Sequence, residues 1–159
     1  MMGVGKSTIG RLIAKRLKIK FIDVDKIIEK KEKKTIKRIF EDHGEKYFRK
    51  LEEKTTLKIL KNNRSVIALG GGAFINKEIR QKVLSSCLSV WLKVDLDKLI
   101  KRYNKNDRRP LLDKKKLNTD VKRIYHSRKK IYSLANFKIN CDNIDKIKIV
   151  QKILNFYEN

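Results

Sequence analysis

The 159-residue chain has two cysteines, one proline and no apolar run approaching the roughly 18–20 residues that a membrane-spanning helix needs. Cys87 and Cys141 lie far apart and lack metal-ligand spacing, so they read as reduced thiols rather than a disulfide scaffold or a zinc site. No signal-peptide core is visible, so the expected location is the cytoplasm, with no membrane partner. Acidic residues are scarce: 18 Asp and Glu face 42 Lys and Arg, a formal net charge of +24. That balance is compatible with nucleic-acid binding. The excess is mostly lysine, however, spread over every helical segment without an aromatic-interleaved basic motif. It reads as solvated surface, and no nucleic-acid partner is expected. Against this lysine background, each arginine in a motif context carries more information.

Hydrophobic residues make up 40% of the chain and recur in short periodic blocks, as a single globular domain over residues 1–159 requires. There are no internal repeats. Short β-like runs alternate with longer helical patterns, which predicts an α/β fold with a parallel sheet. Strands are expected at 20–24, 65–69, 88–94 and 137–141. Helices are expected at 7–17 (with Ile9, Leu12, Ile13 and Leu17 inward), 25–33, 35–42, 45–61, 76–85, 96–103, 117–134 and 145–157. Gly44 interrupts the second and third of the charged helical segments. The stretch 104–116 is polar, holds the single proline and has no period, so it reads as a loop.

Directly before the first helical pattern stands Gly3-Val4-Gly5-Lys6-Ser7-Thr8. A glycine-rich turn ending in Gly-Lys-Ser/Thr at a helix N-terminus is a phosphate cradle, the P-loop. Amides of Gly3 to Gly5 and the helix dipole face the phosphates, Lys6 bridges the β- and γ-phosphates, Ser7 ligates Mg2+, and Thr8 holds a further phosphate oxygen. The complete loop pattern needs a glycine one residue before Met1 and a hydrophobic strand feeding the turn. A strand preceding the loop is therefore expected to be missing from this chain, in addition to the four that are legible.

Three further features carry chemistry. Asp23-Val24-Asp25 closes the first strand, and alternation predicts two carboxylates on one face about 7 Å apart. Asp23 suits the outer shell of Mg2+, and Asp25 suits acceptance of a proton from an attacking hydroxyl. Gly70-Gly71-Gly72 follows the second strand, where bare backbone permits close approach of a ligand. Among the arginines, Arg49 has an orienting partner three residues on in Glu52, a pairing that presents the guanidinium to a substrate carboxylate. Arg109 lies in Arg108-Arg109-Pro110-Leu111-Leu112, and Arg128 precedes Ile131-Tyr132.

In this order the motifs resemble those of the shikimate kinases. They are Gly5-Lys6-Ser7-Thr8, Phe21-Ile22-Asp23-Val24-Asp25, Phe48-Arg49 with Leu51-Glu52, Gly70-Gly71-Gly72-Ala73, Arg109-Pro110-Leu111-Leu112, and Arg128 with Ile131-Tyr132 and Ala135. The resemblance implies a three-layer P-loop NTPase fold like that of nucleoside monophosphate kinases. It has a five-stranded parallel sheet, a substrate-binding helical region at about 25–61 and a closing lid at about 104–117. It implies transfer of the γ-phosphate of ATP, with Mg2+, to the 3-hydroxyl of shikimate in aromatic amino-acid biosynthesis, by a monomer. It further implies that Asp25 binds the ring hydroxyls and acts as, or near, the base. Arg49 and Arg128 hold the carboxylate, and the Gly70, Gly71 and Gly72 amides contact ring hydroxyls. Arg109 reaches the transferring phosphate from the lid, Arg102 lies near the adenine, and Asp23 reaches Mg2+ through water. Two other readings stay open at this level: a P-loop kinase of another small acceptor such as gluconate or a nucleotide, and a basic nucleic-acid-binding module.

Overall fold

The computed structural model describes residues 3–61, 64–104 and 117–158. In chain order these form α1 (Lys6–Leu17), β1 (Lys20–Asp23), α2 (Val24–Glu32), α3 (Ile36–Ile59), β2 (Ser65–Ala68), a 3-10 turn (Ala73–Ile75), α4 (Lys77–Ser86), β3 (Val90–Lys93), α5 (Leu96–Asn104), α6 (Leu117–Tyr132), β4 (Phe137–Asn140) and α7 (Lys146–Glu158). The alternation of strand and helix is the α/β arrangement expected. Cap residues set the helix starts: Thr35 Oγ1 accepts from Arg38 N, Asn76 Oδ1 from Ile79 N, and Asp95 Oδ1 from Asp97 N. Gly44, at φ 76° and ψ 172°, breaks helical geometry within α3. Glycine is required there by its left-handed φ, since a Cβ would meet nothing within 4 Å.

The four strands pair two by two, both pairs parallel. Lys20 lies opposite Ser65 and Asp23 opposite Ala68 in the first. Val90 lies opposite Phe137 and Lys93 opposite Asn140 in the second. β2 and β3 are not hydrogen-bonded to each other. Their facing edges line a cavity of about 470 Å3 whose walls include Val4, Ile9, Ile13, Phe74 and Leu154. The cavity thus adjoins the turn that opens α1.

Two apolar clusters hold the elements together. The larger one joins α1, α4, β3, α5, α6, β4 and α7 around Ile79, Val94, Leu99 and Val121. The smaller one, Val24, Ile28, Ile39, Phe48, Leu51 and Ile59, fixes α2 against α3 and contacts β1 and β2 through Ile22 and Ile67. It is this second cluster that aims the charged face of α3 at the end of β2.

Two expectations need correction. Leu12 lies at the surface of α1, 36% exposed, while Gly10 and Ala14 are buried beside Ile9 and Ile13. The inward face runs i, i+1, i+4, i+5, and a small residue takes the place assigned to leucine. Likewise β1 stops at Asp23 and Asp25 lies in the first turn of α2, the helix expected from 25, so the two carboxylates do not share a strand's alternation. Asp23 is the N-cap, its carboxylate accepting from Lys26 N at 3.4 Å, and the strand ends two residues before Asp25. Cys87 and Cys141 are free thiols.

Gly10 supplies a test of the packing. A Cβ there would come within 2.6 Å of Phe21 Cε2 on β1. Gly10→Ala would favour an isolated helix by about 1 kcal/mol, yet here the clash outweighs propensity and the variant loses about 1–3 kcal/mol. Chemical denaturation checks this, and Phe21→Leu in the same chain should recover part of the loss. A stabilised Gly10→Ala variant would contradict the packing.

Candidate active site

The parallel strands direct their C-terminal ends, and the loops that follow, to one edge of the fold. The β1–α2 junction and Gly70–Gly72 after β2 lie at such ends, and the turn that opens α1 meets them through the Ser7–Asp23 contact. α3 and α6 bring side chains to the same place.

The first component is the phosphate loop. Gly5 caps α1 with φ 93°, a left-handed conformation. Val4 is buried in the core and pins the turn from beneath. Ser7 Oγ donates to Asp23 Oδ2 at 2.7 Å. The two residues read as Mg2+ partners, from different elements, are therefore in contact. A hydroxyl and a carboxylate are hard oxygen donors, the set Mg2+ takes beside phosphates and water.

The second component is a pair of carboxylates over Gly70, Glu52 buried and Asp25 half-buried. A Cβ at Gly70 would lie 2.2 Å from Glu52 Oε1 and 2.8 Å from Asp25 Oδ1. Only glycine lets both carboxylates rest on the backbone. Burial raises the Asp25 pKa above the ordinary carboxylate value, the nearby Lys6 charge opposing it and Asp23 reinforcing it. Glu52 is 2% exposed, and burial raises its pKa too, against the pull of Arg49. One of its oxygens, Oε1, is buried without a hydrogen-bond partner among the described residues.

The third component is cationic. Arg49 Nη1 donates to Glu52 Oε2 at 2.7 Å, the ion pair that the three-residue spacing predicts. Nε and Nη2 reach Glu45 Oε1 at 3.1 and 3.0 Å, a partner sequence reasoning did not find. A Cβ on Gly72 would stand 2.5 Å from Arg49 Nη1. Gly70 and Gly72 thus accommodate the protein's own guanidinium and carboxylates. Arg128 Nη1 donates to Gly71 O at 2.8 Å, and the Tyr132 hydroxyl donates to the same carbonyl.

Of the site residues read from the sequence, the structure gathers Gly3 to Thr8, Asp23, Asp25, Arg49, Gly70 to Gly72 and Arg128 along this edge. Arg109 and the 105–116 segment lie outside the described residues, as does the side chain of Arg102, whose backbone is in α5. Tyr132 and Glu45 were not singled out as site residues. The i,i+4 spacing of Glu45 to Arg49 and of Arg128 to Tyr132 was a signal available for both.

The arrangement joins a phosphate cradle, an oxygen-donor pair for a divalent cation, a carboxylate with raised pKa, and two guanidinium groups. It suits phosphoryl transfer to a small anionic acceptor. Comparison with known proteins agrees. The family model described as "Shikimate kinase" matches residues 2–158. The shikimate kinase of Bartonella henselae is 41% identical over 154 residues, 97% of this chain and 73% of that protein. Among solved structures, shikimate kinase from Acinetobacter baumannii in complex with shikimate superimposes with a TM-score of 0.92 at 30% identity, covering 98% of this chain and 88% of that one. The Aquifex aeolicus shikimate kinase gives a TM-score of 0.87 at 34% identity, with 99% and 92% covered.

The raised pKa values of Asp25 and Glu52 give a pH prediction. The folded chain holds their protons to higher pH than the unfolded chain, so stability falls as pH rises from the ordinary carboxylate range, about 4, through the raised folded values. Asp25→Asn removes one of these titrations. Its Tm relative to the parent should rise as pH is raised from about 4 to about 8, followed by calorimetry. A difference that stays constant over that range would contradict the assignment.

Proposed function

Since the chain belongs to the shikimate kinase family, we propose the following division of labour in its transfer of a phosphoryl group from ATP to shikimate. The chain is an ATP-dependent kinase of shikimate. The observation that supports the residue assignments is the convergence, across Gly70 to Gly72, of Asp25, Glu52 and Arg49.

Gly3, Val4, Gly5, Lys6, Ser7 and Thr8 hold the phosphates of ATP through amides, the Lys6 ammonium and the α1 dipole. Ser7 and Asp23 would hold Mg2+, which when bound neutralises phosphate charge. Arg49, with Arg128, grips the shikimate carboxylate through paired charge-assisted hydrogen bonds. Glu45 is 57% exposed and yields its place on Arg49 readily, whereas Glu52, 3% exposed, stays and orients the guanidinium. The Gly70 to Gly72 backbone and Asp25 receive the ring hydroxyls.

Asp25 then takes the proton of the 3-hydroxyl as the oxygen lone pair forms its bond to the γ-phosphorus. The bond from that phosphorus to the β–γ bridging oxygen breaks, and ADP leaves with the electron pair. A raised carboxyl pKa brings Asp25 closer to the strength a base needs near neutrality. Positive charge from Lys6, with Arg109 from the 104–117 lid and Arg102 near the adenine, accompanies the transfer. In this reading residues 25–61 form the substrate-binding region of a single domain that works as a cytoplasmic monomer. Among the described residues, no helix is long and apolar enough to cross a membrane.

A coupled assay of ADP release tests the assignments. Lys6→Met should cut kcat by about 100-fold or more while leaving shikimate affinity within about twofold. Arg49→Ala should raise the shikimate KM by about 10- to 100-fold with the ATP KM little changed. Unaltered shikimate affinity in Arg49→Ala would overturn the carboxylate assignment.

A further inference from the structure

One carbonyl in the site has two donors, and the two differ in their freedom to leave it. Gly71 O accepts from Arg128 Nη1 at 2.8 Å and from the Tyr132 hydroxyl. The two side chains stand four residues apart on α6, so both project from one face of that helix. A carbonyl oxygen has two lone pairs, and here both are engaged by groups 57 and 61 residues away in the chain.

Tyr132 is fixed. It is 7% exposed, and its ring lies 6.1 Å from that of Trp91 on β3, itself 9% exposed. Arg128 is a long, partly exposed side chain whose guanidinium donates to Gly71 O and also lies within hydrogen-bond reach of the Tyr132 hydroxyl. A charged guanidinium gains more from an ionised carboxylate than from a neutral carbonyl. When an anionic group enters the site, Arg128 is therefore the donor that moves.

We propose that Tyr132 is a positioning residue for shikimate binding: its hydroxyl keeps the Gly71 carbonyl satisfied while Arg128 swings from that carbonyl to the substrate carboxylate. The inference rests on the reading of Arg128 given above. In the unliganded site both donors hold the Gly70 to Gly72 backbone. In the liganded site Tyr132 holds it alone, and the Gly71 and Gly72 amides keep their direction. Without the hydroxyl, Arg128 must abandon a half-buried carbonyl in order to bind substrate, and the cost of that orphaned acceptor falls on substrate affinity. Burial holds the phenol protonated against the opposing charge of Arg128, so it remains a donor throughout the working pH range.

Tyr132→Phe keeps the ring against Trp91 and removes only the hydroxyl. It should raise the shikimate KM about tenfold, equivalent to about 1.4 kcal/mol, with kcat and the ATP KM within about twofold. The same substitution in an Arg128→Ala background should change shikimate affinity by less than about twofold, because no arginine then has to leave the carbonyl. A Tyr132→Phe variant with unchanged shikimate KM overturns the proposal, and so does one whose effect is equal in both backgrounds. If Arg128→Ala itself leaves shikimate affinity intact, the underlying reading of Arg128 fails, a result separable from either of these. Should Tyr132→Phe not fold, the carbonyl 13C shift of Gly71 in the parent chain reads the same contact. A hydrogen-bonded shift that persists at saturating shikimate supports the proposal, and loss of that shift overturns it.

Discussion

The Arg49–Glu52 ion pair, pressed against the bare backbone of Gly70 to Gly72, is the contact on which the remaining site geometry depends. Glu52 is almost fully buried, and burial would favour its neutral form. Arg49 provides the compensating charge at 2.7 Å but engages only one of its two oxygens. Buried pairs of this kind contribute little net stability, since desolvation offsets most of the attraction. What the pair contributes is direction. A guanidinium held from below by an immobile carboxylate has its Nε and Nη2 on the exposed Glu45, a partner that a second carboxylate can replace.

That constraint propagates through the fold. Arg49 and Glu52 can lie on the turn after β2 only because positions 70 and 72 carry no Cβ. α3 can present them there only because Phe48, Leu51 and Ile59 dock it on α2 and the first strand pair. The same docking carries Asp25, in the first turn of α2, to within reach of Gly70 and Lys6. On the other side, α6 clasps the middle glycine through its carbonyl. Three consecutive glycines thus serve three neighbours, whose charges are concentrated at this one edge of the fold. The two carboxylates in this cluster are strained by burial, as a functional site that trades stability for reactivity commonly is.

Much of this was legible in the sequence because the signals are local. The turn Gly3 to Gly5 followed by Lys6-Ser7-Thr8 announces a phosphate loop, and periodicity locates all four strands and the helices to within a few residues. Arg49 and Glu52 are three apart on one helix, so their pairing follows from spacing alone. What escaped was set by capping or by distance. Strand alternation puts Asp23 and Asp25 on one face, and nothing in it reveals that Asp23 caps a helix that starts one residue earlier than expected. Leu12 was assigned inward because hydrophobic identity outweighed the small residues Gly10 and Ala14, which bury more easily against Phe21. The partners of Gly71 lie on α6, far along the chain, and only folding reveals that they share one acceptor.

The central claim is that prealigned guanidinium groups, Arg49 foremost, recognise the substrate through its carboxylate. Titration calorimetry of the chain with shikimate and with its methyl ester, at one pH and ionic strength, measures this most directly. The ester keeps the ring hydroxyls and removes the negative charge. The account predicts that it binds about 10- to 100-fold more weakly, the range for losing charge-assisted hydrogen bonds. Equal affinity for the acid and the ester would contradict it.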